Sequence, residues 1–419
     1  MSIHSLPRTH AVLQAGIDSG LHPGAQVYVS MDGQVIVDGA MGLARPDVAM
    51  TRDTLTLWMS AGKPVTAVAV MQLVDRGLIS LHTKVADVIP EFGVNGKGPI
   101  TLWHILTHTA GFRGPLNNFT PGTWEEILQR VYALRQEPGW VPGEKAGYHI
   151  GSSWFVLGEL VRKLDGRSID RYVREAIFAK LGEHDAYVGL PEAVFDTRGQ
   201  EIALMYVTEK EPTTDWPGNS REANTLPRPG ANARGSIRAL GRIYADLLKS
   251  IESAEDNSPP LAGMAGAGGI GNDEGFRKKD ESTSSLIPYP SSLPPGPHPN
   301  PLPEGEGTGT SLLTSHSAKA LASRQRVGMI DHTFKQVLDW GLGVMIDSKQ
   351  YAGEHQYGFG PHASADTFGH SGNQSSCAFC DPKHKLVVAW TCNGMPGEVK
   401  HQARASAINR AIYEDLGLA

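Results

Sequence analysis

The stretch Trp58-Met-Ser-Ala-Gly-Lys-Pro-Val-Thr-Ala-Val-Ala-Val-Met-Gln-Leu-Val-Asp-Arg-Gly-Leu-Ile-Ser-Leu81 decides what this chain is. Val65, Val68, Val70, Met71, Leu73 and Val74 make it apolar nearly all round, and Gly77 ends it. Such a pattern predicts a buried helix over residues 60–76 rather than a surface one. Ser60 stands at its start, near free backbone N–H groups and the positive dipole end. Lys63 follows one turn on, at i+3, where its amine can reach the serine oxygen. A hydroxyl is a poor nucleophile until a base removes its proton, and a desolvated lysine can be that base. Taken alone, Ser-x-x-Lys also describes an N-cap serine followed by a solvated lysine.

Working outward, Ala25-Gln-Val-Tyr-Val-Ser-Met31 alternates, breaks at Asp32-Gly33 and resumes as Gln34-Val-Ile-Val37. Asp-Gly between alternating apolar runs predicts an antiparallel hairpin, preceded by a short helix over residues 9–20. Near the other end, residues 376–379 and 386–391 read as two strands around Asp381-Pro382, and 399–416 has helical spacing. Further helices are expected over 102–108, 124–135, 153–164, 169–179 and 237–250. The order predicts an α/β (α+β) fold: a central antiparallel sheet built from both termini and flanked by helices, with a mostly helical region inserted between them.

One segment breaks the pattern. Residues 255–310 are rich in Gly, Ser and Pro, including Pro288-Tyr-Pro-Ser-Ser-Leu-Pro-Pro-Gly-Pro-His-Pro-Asn-Pro-Leu-Pro303. That proline density excludes helix and sheet interiors, and there is little apolar surface to bury. The segment reads as a disordered or polyproline-like insertion within a single catalytic domain covering 1–419. Its Pro-Leu-Pro-Glu-Gly-Glu-Gly end is similar to translated bacterial intergenic repeats, and a Pro-rich docking site is the alternative.

Composition narrows the partners. The 419 residues carry a formal charge of −6 with 40% apolar and 7% aromatic residues, ordinary for a soluble globular enzyme. With no basic stripe, nucleic acid is not an expected partner, and no apolar run approaches the roughly 18 residues that span a bilayer. Met1 to Ala15 shows no apolar signal core, so a cytoplasmic location is expected. Cys377, Cys380 and Cys392 are a poor disulfide framework, which fits a reducing compartment. Cys377 and Cys380 form Cys-x-x-Cys, but on a strand positions three apart face opposite sides, and no further ligand completes a zinc set.

The 58–81 stretch resembles the nucleophile helix of the serine β-lactamase and penicillin-binding-protein superfamily. More narrowly, it is similar to the branch holding class C β-lactamases, D-alanyl-D-amino peptidases and family VIII carboxylesterases. Val85-Ala-Asp-Val-Ile-Pro-Glu-Phe92, Ile100-Thr-Leu-Trp-His-Ile-Leu-Thr-His-Thr-Ala-Gly-Phe112, Pro142-Gly-Glu before Tyr148, and Gly369-His-Ser-Gly372 agree in order and spacing. The resemblance covers nearly the whole chain apart from the Pro-rich segment. It implies acylation on Ser60 with Lys63 beside it and no metal or organic cofactor.

The resemblance also implies that Tyr148 points at the nucleophile and shuttles its proton; a phenolate there would have a lowered pKa and act as general base. A buried structural tyrosine is the plainer reading. The family pattern is Tyr-x-Asn, whereas this chain reads Tyr148-His149-Ile150-Gly151. That asparagine normally helps hold the β-lactam side-chain amide and the lysine, so its absence weakens the lactamase reading. A third element implied by the resemblance is His370-Ser371-Gly372, where lactamases carry Lys-Thr-Gly and many esterase-like relatives His-x-Gly. A lysine there grips a substrate carboxylate; a neutral histidine does so less firmly. The glycine allows close approach to the strand, and by analogy the oxyanion sits between the backbone N–H groups of Ser60 and Asn373.

Two other patterns carry less. His104 and His108 have i, i+4 spacing, but no Glu follows His104, so the His-Glu-x-x-His zinc motif is not met. Gly369-His-Ser-Gly-Asn373 departs from Gly-x-Ser-x-Gly at its last position, and strands rather than a helix follow. The expected partner is a small ester or amide; the alternatives are a β-lactam or D-amino-acid peptide substrate, or a catalytically silent relative that binds a ligand or partner. The sequence leaves the oligomeric state open.

Overall fold

In the computed structural model, described over residues 2–114, 119–253, 311–351 and 358–419, the Asp32-Gly33 turn organises the first hairpin. Both residues have positive φ (50° and 74°), the geometry whose twist matches paired strands. β1 (Gly24–Met31) thereby pairs with β2 (Gln34–Arg45), Met31 opposite Gln34. A short β3 (Val48–Ala49) follows on β2. The C-terminal part supplies β4 (Met345–Ile346), β5 (Phe368–Gly372), β6 (Ser376–Asp381) and β7 (Leu386–Cys392). The sheet order is β4-β5-β6-β7-β1-β2-β3, every pair antiparallel. The two termini therefore meet where β7 lies against β1, Val388 opposite Val29.

Sheet strands alternate their side chains between two cores. On one face lie α1 (Pro7–Asp18) and α5 (Glu398–Asp415), packed with Val27, Val29, Val388 and Trp390. On the other lies α4 (Ile237–Glu252), which leads into the helical region through Leu240, Ile243, Tyr244 and Leu247. Cys377 belongs to the first core and Cys380 to the second, the opposite facing expected of positions three apart. All three cysteines are buried and unpaired.

Within the helical region, α2 (Lys63–Asp75) is buried from Lys63 to Val74 and packs against α3 (Ser152–Asp165). The helix expected over 102–108 ends at Leu106, and His108 takes a left-handed φ of 56°. His104 and His108 therefore do not share a helix face: His104 closes a capping box with Thr101, and His108 sits in the core. The segment expected as one helix over 169–179 is α-helical only over Ile169–Val173 before its turns change pitch. The insertion expected at 255–310 lies outside the described residues.

Candidate active site

The nucleophile turn is built by a short strand and a forced change of direction. Thr56–Leu57 pairs with Ala233–Gly235, and the Trp58 N–H donates to Ala233 O at 3.0 Å. Met59 then adopts φ 51°, a left-handed conformation that a methionine rarely takes. A tight 3-10 turn over Met59–Gly62 follows, and the α-helix proper begins at Lys63. Ser60 thus lies in the turn ahead of α2 rather than in its first α-helical position. A Cβ on Gly62 would fall 2.4 Å from Ala233 Cβ, so only glycine lets this turn seat against its strand.

Lys63 Nζ lies 3.0 Å from Ser60 Oγ, 3.0 Å from Ile150 O and 2.5 Å from Gly230 O. The side chain is 0% exposed, and burial drives its pKa well below the ordinary lysine value. The uncharged amine can also use this partner set. Two carbonyls can only accept, so they take the two N–H groups of a neutral amine, leaving its lone pair toward the Ser60 hydroxyl. The rings of Tyr148 and Trp154, each 5.2 Å from Nζ, close the rest of the sleeve.

Tyr148 is brought to the same point, hydrogen-bonded to the Ser60 side chain. Its pKa moves opposite to the expected direction: burial raises it, the Asp331 carboxylate raises it further, and the Ser60 bond only partly opposes them. The phenol therefore stays protonated, a hydrogen-bond donor rather than a phenolate. His149, next in the chain, turns inward; its Nε2 accepts from Phe112 N–H at 3.3 Å, and its backbone N–H donates to His108 Nδ1 at 3.1 Å. Ile150, at the position of the family asparagine, is 42% exposed and lines the cavity over Ser60.

The third element comes from the free end of β5. β4 pairs only with Phe368 and Gly369, so His370 to Gly372 extend beyond it as an edge facing the nucleophile turn. A Cβ on Gly372 would lie 2.5 Å from Trp58 O and 2.9 Å from Met59 Cβ, so this approach requires glycine. His370 is buried between Trp340 and Tyr148, with ring centroids 5.6 Å and 5.9 Å away. Its Nδ1 donates to Ser371 O at 2.7 Å. Burial holds its pKa at about 3, so the imidazole is neutral at physiological pH.

These elements surround a cavity of about 550 Å³ lined by Ser60, Tyr148 and the run His370 to Gln374. Besides Ile150, the rest of the wall, unmarked in the sequence, is Phe119, Trp216, Pro217, Thr333, Phe334 and His401. Phe119 and Trp216 pack edge to face at 4.9 Å, and Phe334 lies 4.9 Å from Tyr148. His401 is neutral as well, held at about 3 by burial and by Arg404. Behind it, Arg404 donates to Gln374 O (2.8 Å), Gly394 O (3.0 Å) and Leu21 O (3.2 Å), bracing the turn that carries Asn373. None of the described residues lining the cavity is Lys, Arg, Asp or Glu. Among the described residues, no group of three or more His, Cys, Asp or Glu could hold a metal ion.

Fold and serine–lysine pair together define a protein of the penicillin-recognising class. The chain belongs to the Beta-lactamase family, whose profile matches residues 10–298 and 305–412. It is 31% identical over 258 residues to an esterase/beta-lactamase, LipL, of Mycobacterium tuberculosis, covering 55% of this chain and 59% of that protein. It is 28% identical to the esterase EstB of Burkholderia gladioli, covering 57% and 70%. The chain thus spans about three fifths of the length of the first of these curated relatives. Among solved structures, a penicillin-binding protein homologue from Caulobacter crescentus superposes with a TM-score of 0.71 at 25% identity, covering 98% and 97%. A family VIII carboxylesterase shares the fold with a TM-score of 0.71 at 22% identity, covering 99% and 98%. No helix among the described residues is long and apolar enough to cross a membrane.

Proposed function

We propose that this protein hydrolyses small, uncharged carboxylic esters through an acyl-enzyme on Ser60. Neutral Lys63 takes the Ser60 proton as Oγ bonds to the ester carbonyl carbon, and the carbonyl oxygen becomes an oxyanion. The backbone N–H groups of Ser60 and Asn373 receive that oxyanion, beside the close contact made by Gly372. As the intermediate collapses, the carbon–oxygen bond to the alcohol breaks, and the proton held on Lys63 reaches the departing oxygen through the Tyr148 hydroxyl. Water, deprotonated by the same pair, then attacks the acyl carbon and releases the acid with Ser60 restored. The reaction as written uses no metal or organic cofactor.

The observation that carries the ester reading is the wall of the cavity. Phe119, Ile150, Trp216 and Phe334 are apolar, and the two imidazoles, His370 and His401, are neutral. A β-lactam or D-amino-acid peptide carries a carboxylate, and burying it against such a wall costs its solvation without an ion pair in return. A silent ligand-binding relative would not need a buried lysine kept uncharged beside Ser60. The three unpaired thiols support a cytoplasmic setting for the same reading. The test is a matched pair of substrates, p-nitrophenyl butyrate and the p-nitrophenyl monoester of succinic acid. The butyrate should have the higher kcat/KM by about tenfold or more; a preference for the charged ester would overturn the assignment.

A further inference from the structure

The hairpin Ile330–Asp331/Gln336–Val337 holds Tyr148 by both of its backbone polar groups. Asp331 Oδ1 accepts from the N–H of Tyr148 at 3.1 Å, of Thr333 at 2.9 Å and of Phe334 at 3.1 Å. Thr333 Oγ1 donates to Tyr148 O at 3.0 Å, and the His332 N–H donates to Ala146 O at 2.8 Å. The hairpin thus runs alongside the 146–148 segment as a splint, with Phe334 packed on the Tyr148 ring.

The splint is itself anchored in the core. Asp331 Oδ2 faces Arg326 Nη1 at 3.2 Å, an ion pair too oblique for a hydrogen bond, with both side chains 0% exposed. Arg326 donates through Nε and Nη2 to Leu338 O at 3.2 Å and 3.0 Å, and through Nη1 to Thr107 O at 3.1 Å. A buried carboxylate is expensive to desolvate, and a local turn could be capped by an uncharged asparagine. Here one oxygen of that carboxylate is spent on the N–H of the residue that reaches the nucleophile.

We infer that Asp331, locked by Arg326, is a positioning residue for Tyr148: it fixes the backbone from which the phenol reaches Ser60. Misplacing a proton-relay group by a fraction of an ångström slows the chemical step while leaving the cavity that binds substrate largely intact. This inference rests on the proposed role of Tyr148 in ester hydrolysis.

The test is a double-mutant cycle on p-nitrophenyl butyrate turnover. Asp331→Asn combined with Arg326→Met removes both buried charges together, so neither is left unpaired. Thr333→Val is the second variant; it removes the bond to Tyr148 O, together with the one Thr333 Oγ1 accepts from Arg113 Nη1 at 3.0 Å, and leaves the Asp331–Arg326 ion pair intact, so it serves if the first does not fold. Each is made in the parent and in Tyr148→Phe. In the parent background kcat should fall about tenfold with KM changed less than about twofold; in Tyr148→Phe the same substitution should change kcat less than about twofold. Equal losses in both backgrounds, or a folded variant with parental kcat, would overturn the inference while leaving the ester reading standing. Full kcat in Tyr148→Phe alone would remove the role assigned to Tyr148 and this inference with it.

Discussion

Replacing Gly372 by alanine perturbs the site by one methyl group, at the place where strand and nucleophile turn come closest. The added Cβ would lie 2.2 Å from Ser376 Oγ, 2.5 Å from Trp58 O and 2.9 Å from Met59 Cβ. Ser376 could rotate away, but its hydroxyl now donates to Trp58 O at 2.6 Å, and that bond would be lost. Trp58 O is backbone, tied to the strand pairing through Trp58 N–H and Ala233 O, and cannot yield on its own. Relief therefore requires β5 to withdraw by roughly 1 Å, carrying the Asn373 N–H away from the oxyanion; a displacement of that size costs about 100-fold, or about 2.7 kcal/mol of transition-state stabilisation. Overpacking should lower stability by about 1–3 kcal/mol as well. The assay is kcat for p-nitrophenyl butyrate, with urea denaturation run in parallel to show that the variant is folded. A folded Gly372→Ala retaining kcat within about threefold of the parent would refute the geometric argument.

Other residues give separate tests. Because Lys63 must be uncharged to act, the rate should rise with pH through an ionisation well below the ordinary lysine range and then level off. Lys63→Arg, permanently charged, should lose about 10²–10⁴-fold in kcat across the whole profile; a rate that begins to climb only near pH 10 would contradict the buried neutral amine. Ile150→Asn restores the Tyr-x-Asn pattern at a half-exposed position and should raise the ratio of cephalosporin to ester turnover by about tenfold with little change in melting temperature. Tyr413→Phe removes a 2.6 Å hydrogen bond to the buried Asp381 carboxylate, which also accepts from the Ser364 N–H at 2.9 Å and hydroxyl at 2.6 Å. Burial opposes the Asp381 charge, but these bonds outweigh it and leave the pKa lowered. That stabilisation is present above the unfolded value and lost as pH falls through the folded one. The variant should therefore lose about 1.5–3 kcal/mol in urea melts at pH 7, a deficit that shrinks below about pH 4.

Periodicity carried the sheet and the long helices. Asp32-Gly33 located the first hairpin because its turn geometry is a local property, and Lys63–Val74 announced a buried helix because no face of it is polar. The same local logic failed where long-range contacts set the backbone. The short helix stops at Leu106, and nothing within the His104–His108 spacing signals the left-handed turn at His108. The Tyr148 pKa moved against expectation because the fold buries the phenol, and Asp331, 183 residues away in sequence, adds a carboxylate at its backbone N–H. Trp216, Phe334 and His401 reach the cavity from separate loops and a helix end, with no spacing to mark them. One signal was available for the splint: Asp331-His-Thr333 just before a short strand is a pattern for side-chain capping of a turn.

The most direct test of the account is turnover of p-nitrophenyl butyrate beside a chromogenic cephalosporin, each with the parent and with Ser60→Ala. Ester hydrolysis should run well above cephalosporin hydrolysis in the parent, and the ester activity should be lost in Ser60→Ala. Ester turnover that persists in Ser60→Ala, or a parent that prefers the cephalosporin, would contradict it.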